Sequence, residues 1–270
     1  MTPRLFASTF GIEARRLMSY RADFWINAVV GFVVHVGVAF FLWKAIFAAN
    51  GAAEIGGFTL EGMLLYNVLA VLFAKLVRGQ EFLSDVSQDI YEGGLSRYLV
   101  YPTSYFLFRY AQHLGNIVPA LAQLVLFGAV YPVVFPLPPG LDIGAGAIAR
   151  TVAAIALGNA LHYLLMLPIQ MVAFWAENVW SLVVMMRMVA TLAGGYLLPI
   201  TLFPAWAERA AHWLPFPYLY YFPIATLTGR VGPEEWARGV LVALAWCGLL
   251  SLLSAAVWRR GRLAYSGVGM

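Results

Sequence analysis

Of 270 residues, 62% are hydrophobic types and only 11% are charged, against roughly 25% charged in an ordinary soluble domain. The mean hydropathy of +0.77 comes from long stretches free of Asp, Glu, Lys and Arg, several near the roughly 20 residues that cross a bilayer as helix. A soluble enzyme is excluded, and the chain reads as a polytopic, all-α membrane protein. The formal net charge is +4, from 17 basic and 13 acidic residues. The basic residues stand at the ends of apolar spans and form no continuous patch, so the basicity marks membrane orientation rather than nucleic acid. Cys247 is the single cysteine, which leaves no intrachain disulfide and no thiol-rich metal site.

Residues 3–20 form a mildly amphipathic piece, with Phe6, Phe10 and Leu17 on one helical face and Arg4 and Arg15 nearly opposite. Such a helix lies in the inner membrane interface, and a basic, frayed leader fits the same residues. The first charge-free run covers residues 24–43. It starts too far into the chain for a signal peptide and reads as an uncleaved first span. Further spans are predicted at about 58–77, 110–135, 148–175, 180–203 and 239–258, six in all. With the N-terminus inside, the inner side receives Arg4, Arg15, Arg16, Arg21, Lys75, Arg78, Arg97, Arg109, Arg259, Arg260 and Arg262. The outer side receives Lys44, Arg150, Arg209, Arg230 and Arg238. The positive-inside rule then predicts both termini in the cytoplasm. No soluble domain and no internal repeat is visible, so residues 1–270 make one membrane domain.

Two connections are long. The inner one follows the second span and reads QEFLSDVSQDIYEGGLSRYLVYP, with Phe82, Val86 and Ile90 at i, i+4 and i+8 and Glu81, Asp85, Gln88 and Glu92 on the other face. Gly93-Gly94 ends this helix. Acid in a loop that topology expects to be basic fits a protein partner better than anionic lipid, and a solvated amphipathic connector fits the same spacing. The outer connection places Pro199, Pro204, Pro215, Pro217 and Pro223 in an apolar, aromatic stretch. It is too apolar for a solvated loop and too broken for a span. Short re-entrant helices entering from outside fit, as does an interfacial belt of Trp206, Trp213, Tyr218, Tyr220 and Tyr221.

His35, Asn67, Asn159, His162, Gln170 and Arg187 fall inside spans. A charge as deep as Arg187 faces protein or a water-filled path, pairs with an acid such as Glu177, or snorkels. Neither His35 nor His162 has Cys, Asp or Glu at metal-ligand spacing, so both read as hydrogen-bonded core residues. No phosphate-binding loop exists, because Lys44 follows Trp43 and Lys75 follows Ala74. A zinc-protease motif and a nucleophile elbow are missing too.

Six spans, the amphipathic N-terminal helix, the inner DIYEGGLSRYLVYP and the outer LLPITLFP and LPFPYLYYFPIATLTG together resemble the ABC-2 type permeases of ATP-binding cassette exporters. The resemblance covers essentially the whole chain and points to the branch whose permeases are about as long as these 270 residues. Its most specific parts are GGLSRYL before Tyr101-Pro102, and Leu214-Pro215-Phe216 followed by Pro223 and Gly229. The resemblance implies that a coupling helix carrying Glu81, Asp85, Asp89 and Glu92 and turned by Gly93-Gly94 docks on an ATPase. It implies that Arg187, Asn159 and His162 lie at a conduit or helix interface, and that Pro199, Pro204, Pro215, Phe216, Pro223 and Gly229 belong to external re-entrant helices. The partners implied are two copies of a separate ATPase, which binds the ATP and Mg, a second permease subunit of the same or a different chain, and membrane lipid. The implied location is a bacterial inner membrane and the implied cargo an amphiphile or polymer. The rival readings are an integral-membrane enzyme acting on lipid, with Asp85 to Glu92 as its inner-face site, and an ion-coupled carrier.

Overall fold

The computed structural model describes residues 2–18, 21–79, 85–101 and 103–265. Its regular structure there is helical, in the order α1 (Pro3–Met18), α2 (Arg21–Asn50), α3 (Leu60–Arg78), α4 (Asp85–Tyr91), α5 (Leu95–Leu99), α6 (Tyr105–Gly115), α7 (Val118–Val134), α8 (Ala145–Gln170), α9 (Trp180–Ala193), α10 (Ala205–Ala211), α11 (Tyr221–Leu227) and α12 (Pro233–Ala264). Among the described residues, five stretches are long and apolar enough to cross a membrane: Trp25–Asn50, Leu60–Arg78, Tyr105–Val134, Ala145–Phe174 and Pro233–Ala264.

The segment predicted as a span at 180–203 is helical only to Ala193. At 1.5 Å per residue its 14 residues reach about 21 Å, short of the roughly 30 Å hydrocarbon layer. Gly194 and Gly195 follow, Gly195 with φ +80°, a left-handed turn that a side chain resists. Pro199 then starts a single 3-10 turn, Ile200–Leu202, and the chain goes on without α-helix to the end where Thr201 meets Gly56. The third predicted span starts earlier than expected, at Tyr105, and is bent where α6 hands over to α7. There Asn116 and Ile117 bond back to Gln112 and Leu114, and Pro119 supplies no N–H for the usual bond to Gly115. The fourth ends in a 3-10 turn, Met171–Phe174, just after Pro168.

α3 is the centre of the fold, with 78% of its apolar window buried against 17% for α2 and for α12. The Thr59 side chain accepts from Gly62 N at its start, Glu61 lies in its first turn, and Lys75 and Arg78 lie in its last, so both ends suit the helix dipole. α2 and α7 cover one side through Phe32, Trp43 and Phe127. α8 and α11 cover the other through Leu161 and Phe222, and α12 packs on α8 with Leu250 in the same cluster.

Hydrogen bonds define two ends. At one, Arg230 Nη2 donates to Gly57 O at 2.7 Å, Thr201 Oγ1 to Gly56 O at 3.3 Å and Trp236 Nε1 to Arg150 O at 3.3 Å. At the other, Val86 N donates to Gln170 Oε1 at 3.0 Å and Ser96 N to Tyr265 Oη at 3.2 Å. α1 lies against α6 with Thr9, Glu13 and Ala14 buried, Phe6 and Phe10 half-buried and Arg4 and Arg15 exposed, the Leu17 side chain lying outside what is described. The two helices approach closely at Gly115, where an added Cβ would stand 2.8 Å from Phe10 O.

Candidate functional site

α4 and α5 form a knuckle between α3 and α6. Val86 and Ile90 face inward with Leu95, Tyr105, Leu167 and Phe174, as the apolar spacing predicted. Asp89 also turns inward. Its carboxylate accepts from Tyr105 Oη at 2.5 Å and Arg109 Nε at 3.0 Å, and it pairs with the Arg109 Nη2 amino group. Arg109 in turn donates to Gln112 Oε1 at 3.0 Å, lies 4.0 Å from Asp85 and sits over the Tyr98 ring at 5.2 Å. Burial pushes the Asp85 carboxyl up to about 6, with Arg109 opposing and Asp89 and Glu13 adding to the shift. What the knuckle shows outward is Gln88 hydrogen-bonded to Glu92, then Tyr91, Arg97 and Leu99. Gly93, with φ +75°, makes the turn between the two helices. Glu81, Phe82 and Pro102 lie outside the described residues.

Beneath the knuckle is a polar node. The Asn159 amide donates to Leu76 O and Val77 O at 3.0 Å each and lies 2.9 Å from His113 Nε2, while Tyr110 Oη donates to Asn159 Oδ1 at 3.2 Å. Asn159 therefore caps carbonyls at the end of α3 that the helix itself leaves open, and ties α3, α6 and α8 together. His162, three residues on along α8, is buried as well. Arg187 is half-buried on α9, its carbonyl accepting from Thr191 Oγ1 at 2.8 Å. The structure thus brings Asn159 and His162 to one helix junction and leaves Arg187 on another helix.

The proline-rich connection is a hairpin that penetrates the bundle. Tyr218 and Leu219 reach Gly158, where an added Cβ would stand 2.9 Å from Tyr218 O. Gly158 is 13 residues into α8, about 20 Å from its start. Tyr221 N donates to Gly194 O at 3.0 Å and Tyr66 Oη donates to Gly195 O, so the backbone freed by the α9 break is satisfied inside protein. The Arg78 guanidinium lies 4.9 Å from the Tyr196 ring and 5.6 Å from the Tyr220 ring at the tip. α11 carries the chain back with Phe222, Pro223, Ile224, Ala225 and Thr226 all buried, and Gly229, φ +71°, turns it toward α12. Pro199 and Pro215 are buried, Phe216 is half-buried and Pro204 is exposed. The belt residues divide: Trp206 and Trp213 are exposed, while Tyr218 and Tyr220 are buried.

The sequence shows no sign of a role for Tyr105, His113, Tyr66 and Gly158, and marks Arg109 only as an inner-side charge and Gln170 only as a polar residue in a span. Tyr105, Arg109 and His113 stand at i, i+4 and i+8, a polar stripe at helical spacing that a span drawn from residue 110 cuts in two.

No curated protein and no solved structure matches the chain. A family model does, over residues 33–269, nearly the whole bundle from within α2 onward, and its description is ABC-2 family transporter protein. A transport domain of this kind fits a chain whose chemistry-bearing side chains tie helices together and whose apolar helices are long enough to span a membrane. The chain belongs to the ABC-2 family of transporter proteins, as a membrane-spanning permease component of an ATP-binding cassette system.

Proposed function

We propose that the chain is the permease half of an exporter and that the α4–α5 knuckle is its coupling element, docking on a separate ATPase in the cytoplasm. The carrying observation is the two-sidedness of the knuckle. Its inner side is fixed to α6 by Asp89, Tyr105 and Arg109 and to α8 by Val86 N on Gln170, while Gln88, Tyr91, Glu92 and Arg97 remain exposed. A push on that exposed side moves α6 and α8 directly, as near-rigid bodies. On this reading both termini and the knuckle are cytoplasmic, the membrane is a bacterial inner membrane, and the hairpin 194–230 is re-entrant from outside. The bundle, counting the short α9, makes six passes.

Because α3 fills the middle of a single chain, the conduit lies between this chain and a second permease, the same or different. The exposed faces of α9, with Met185, Met188 and Leu192 beside Arg187, suit its wall. The assembly carries two ATPase copies that bind ATP and Mg, and the cargo is an amphiphile or polymer. The test uses Tyr91→Ala combined with Glu92→Lys, both exposed positions. The tagged wild-type chain, purified from its native membrane, should bring with it Mg-ATP hydrolysis activity. The double variant should lose that activity at unchanged melting temperature, and full retention would refute the docking role.

A further inference from the structure

The hairpin and the first turns of α12 enclose a cleft of about 510 Å³, inside the roughly 300–1,000 Å³ range of ligand pockets. Its walls change character along its length. Arg230, Glu235 and Arg238 stand toward the start of α12, and Trp213, Phe222 and Val242 line the other part. From Glu235 to Val242 the helix rises about 10 Å. Trp246 Nε1 donates to Trp213 O at 2.8 Å, which places the aromatic end deeper along α12 than the charged rim.

The rim groups differ in what they already hold. Arg230 donates to Gly57 O and lies 3.4 Å from the Phe58 ring centroid, and Glu235 accepts from Gly232 N at 3.3 Å. Arg238 is exposed and, among the described residues, makes no hydrogen bond or ion pair. Trp213 is 77% exposed, so its ring is uncovered by the protein. A cationic rim above an aromatic and aliphatic floor matches a molecule with one anionic end and one hydrocarbon end, oriented as lipids are oriented in a bilayer.

We propose that this cleft binds a membrane phospholipid with a net negative headgroup, its phosphate held by Arg238 and flanked by Arg230, and one acyl chain lying against Trp213, Phe222 and Val242. The planar guanidinium of Arg238 meets phosphate oxygens through paired N–H donors. The chain shields apolar wall that the hairpin leaves open. This site stands apart from the coupling reading, because binding needs no ATPase and no transport.

The probe is phosphatidylglycerol with a photoreactive diazirine in one acyl chain, mixed into micelles of the purified chain, with labelled peptides mapped by mass spectrometry. Labelling is expected on peptides containing Trp213, Phe222 and Val242. Arg238→Gln should lower it by about threefold to fivefold, the scale of one exposed ion pair. Val242→Trp, which fills the floor, should lower it too, while labelling of the exposed α2 face at Val33 and Val38 stays constant in both variants. The diacylglycerol of the same chains, lacking phosphate, should label the cleft no better than Arg238→Gln permits the phospholipid to. Equal labelling by diacylglycerol would overturn the headgroup assignment, and so would an unchanged yield in Arg238→Gln. Complete displacement by millimolar inorganic phosphate would assign the rim to a free anion instead of a lipid. Labelling confined to α2 would remove the site altogether.

Discussion

Replacing Asp89 by alanine strips Arg109 and Tyr105 of the carboxylate on which both converge. Removing one partner of a buried ion pair costs about 3–5 kcal/mol, because the other charge stays behind in a poor solvent. Here the side chains of Arg109 and Asp89 are 14% and 12% exposed. Arg109 also keeps Gln112 at 3.0 Å, Asp85 at 4.0 Å and the Tyr98 ring at 5.2 Å. These leftovers bring the expected loss to about 2–3 kcal/mol. The loss should be local, since the pair holds α4 to α6 while Val86 and Ile90 keep their apolar contacts. Hydrogen exchange over residues 85–91 should therefore accelerate by roughly 30- to 150-fold in the alanine variant, at the rate of tenfold per 1.4 kcal/mol. Asp89→Asn, which keeps an acceptor for Tyr105, should show a smaller change. A double-mutant cycle with Arg109→Ala isolates the pair, and a coupling below about 0.5 kcal/mol would refute the latch.

Gly158→Val forces a side chain into the backbone of Tyr218, 2.9 Å from the position of an added Cβ. The expected cost is about 1–3 kcal/mol, seen as a lowered melting temperature in detergent with normal membrane insertion, and an unchanged melting temperature would show that the tip does not seat there. Arg187→Leu should reach the membrane and lose transport, with Arg187→Lys retaining part of it. Full transport by the leucine variant at matched expression would reduce Arg187 to a snorkelling side chain. For Asp85 the folded state raises the carboxyl to about 6, so folding favours the protonated form. Its contribution to stability falls as pH rises from the ordinary carboxylate value through about 6, and stays low above that. Asp85→Asn should flatten that part of the stability-versus-pH curve and raise stability at pH 7, and an unchanged curve would contradict the burial of this carboxyl.

The long apolar helices are legible in the sequence because a missing charge is a strong signal over twenty residues, and α2, α3, α8 and α12 fall where it points. α9 is where that signal overstates the regular helix. Residues 180–203 are apolar almost throughout, and hydropathy alone does not register that Gly194 and Gly195 let the chain turn before Pro199 does. At the knuckle, the spacing of Val86 and Ile90 identifies the inward face. It leaves Asp89, next to Ile90, looking like one more acid of a solvated face, because its partner Arg109 is 20 residues away in sequence. The polar node is hidden for a similar reason. Asn159 in isolation is one polar residue in a span, and only tertiary packing places it on the carbonyls of Leu76 and Val77.

The last described residue and the final turns of α1 both come close to the knuckle. Tyr265 contacts the Ser96 backbone and packs its ring on Phe174, and Glu13 and Arg16 of α1 are close enough to Asp85 to perturb its charge. A second protein fused behind Tyr265 therefore starts life beside the surface proposed above to receive the ATPase. A bulky reporter joined through a short linker there would act as a competitor, blocking assembly in a way easily mistaken for misfolding. An ATPase domain joined in the same manner would instead be delivered to its proposed seat, so that a single polypeptide combining both functions would need little connecting chain at that end.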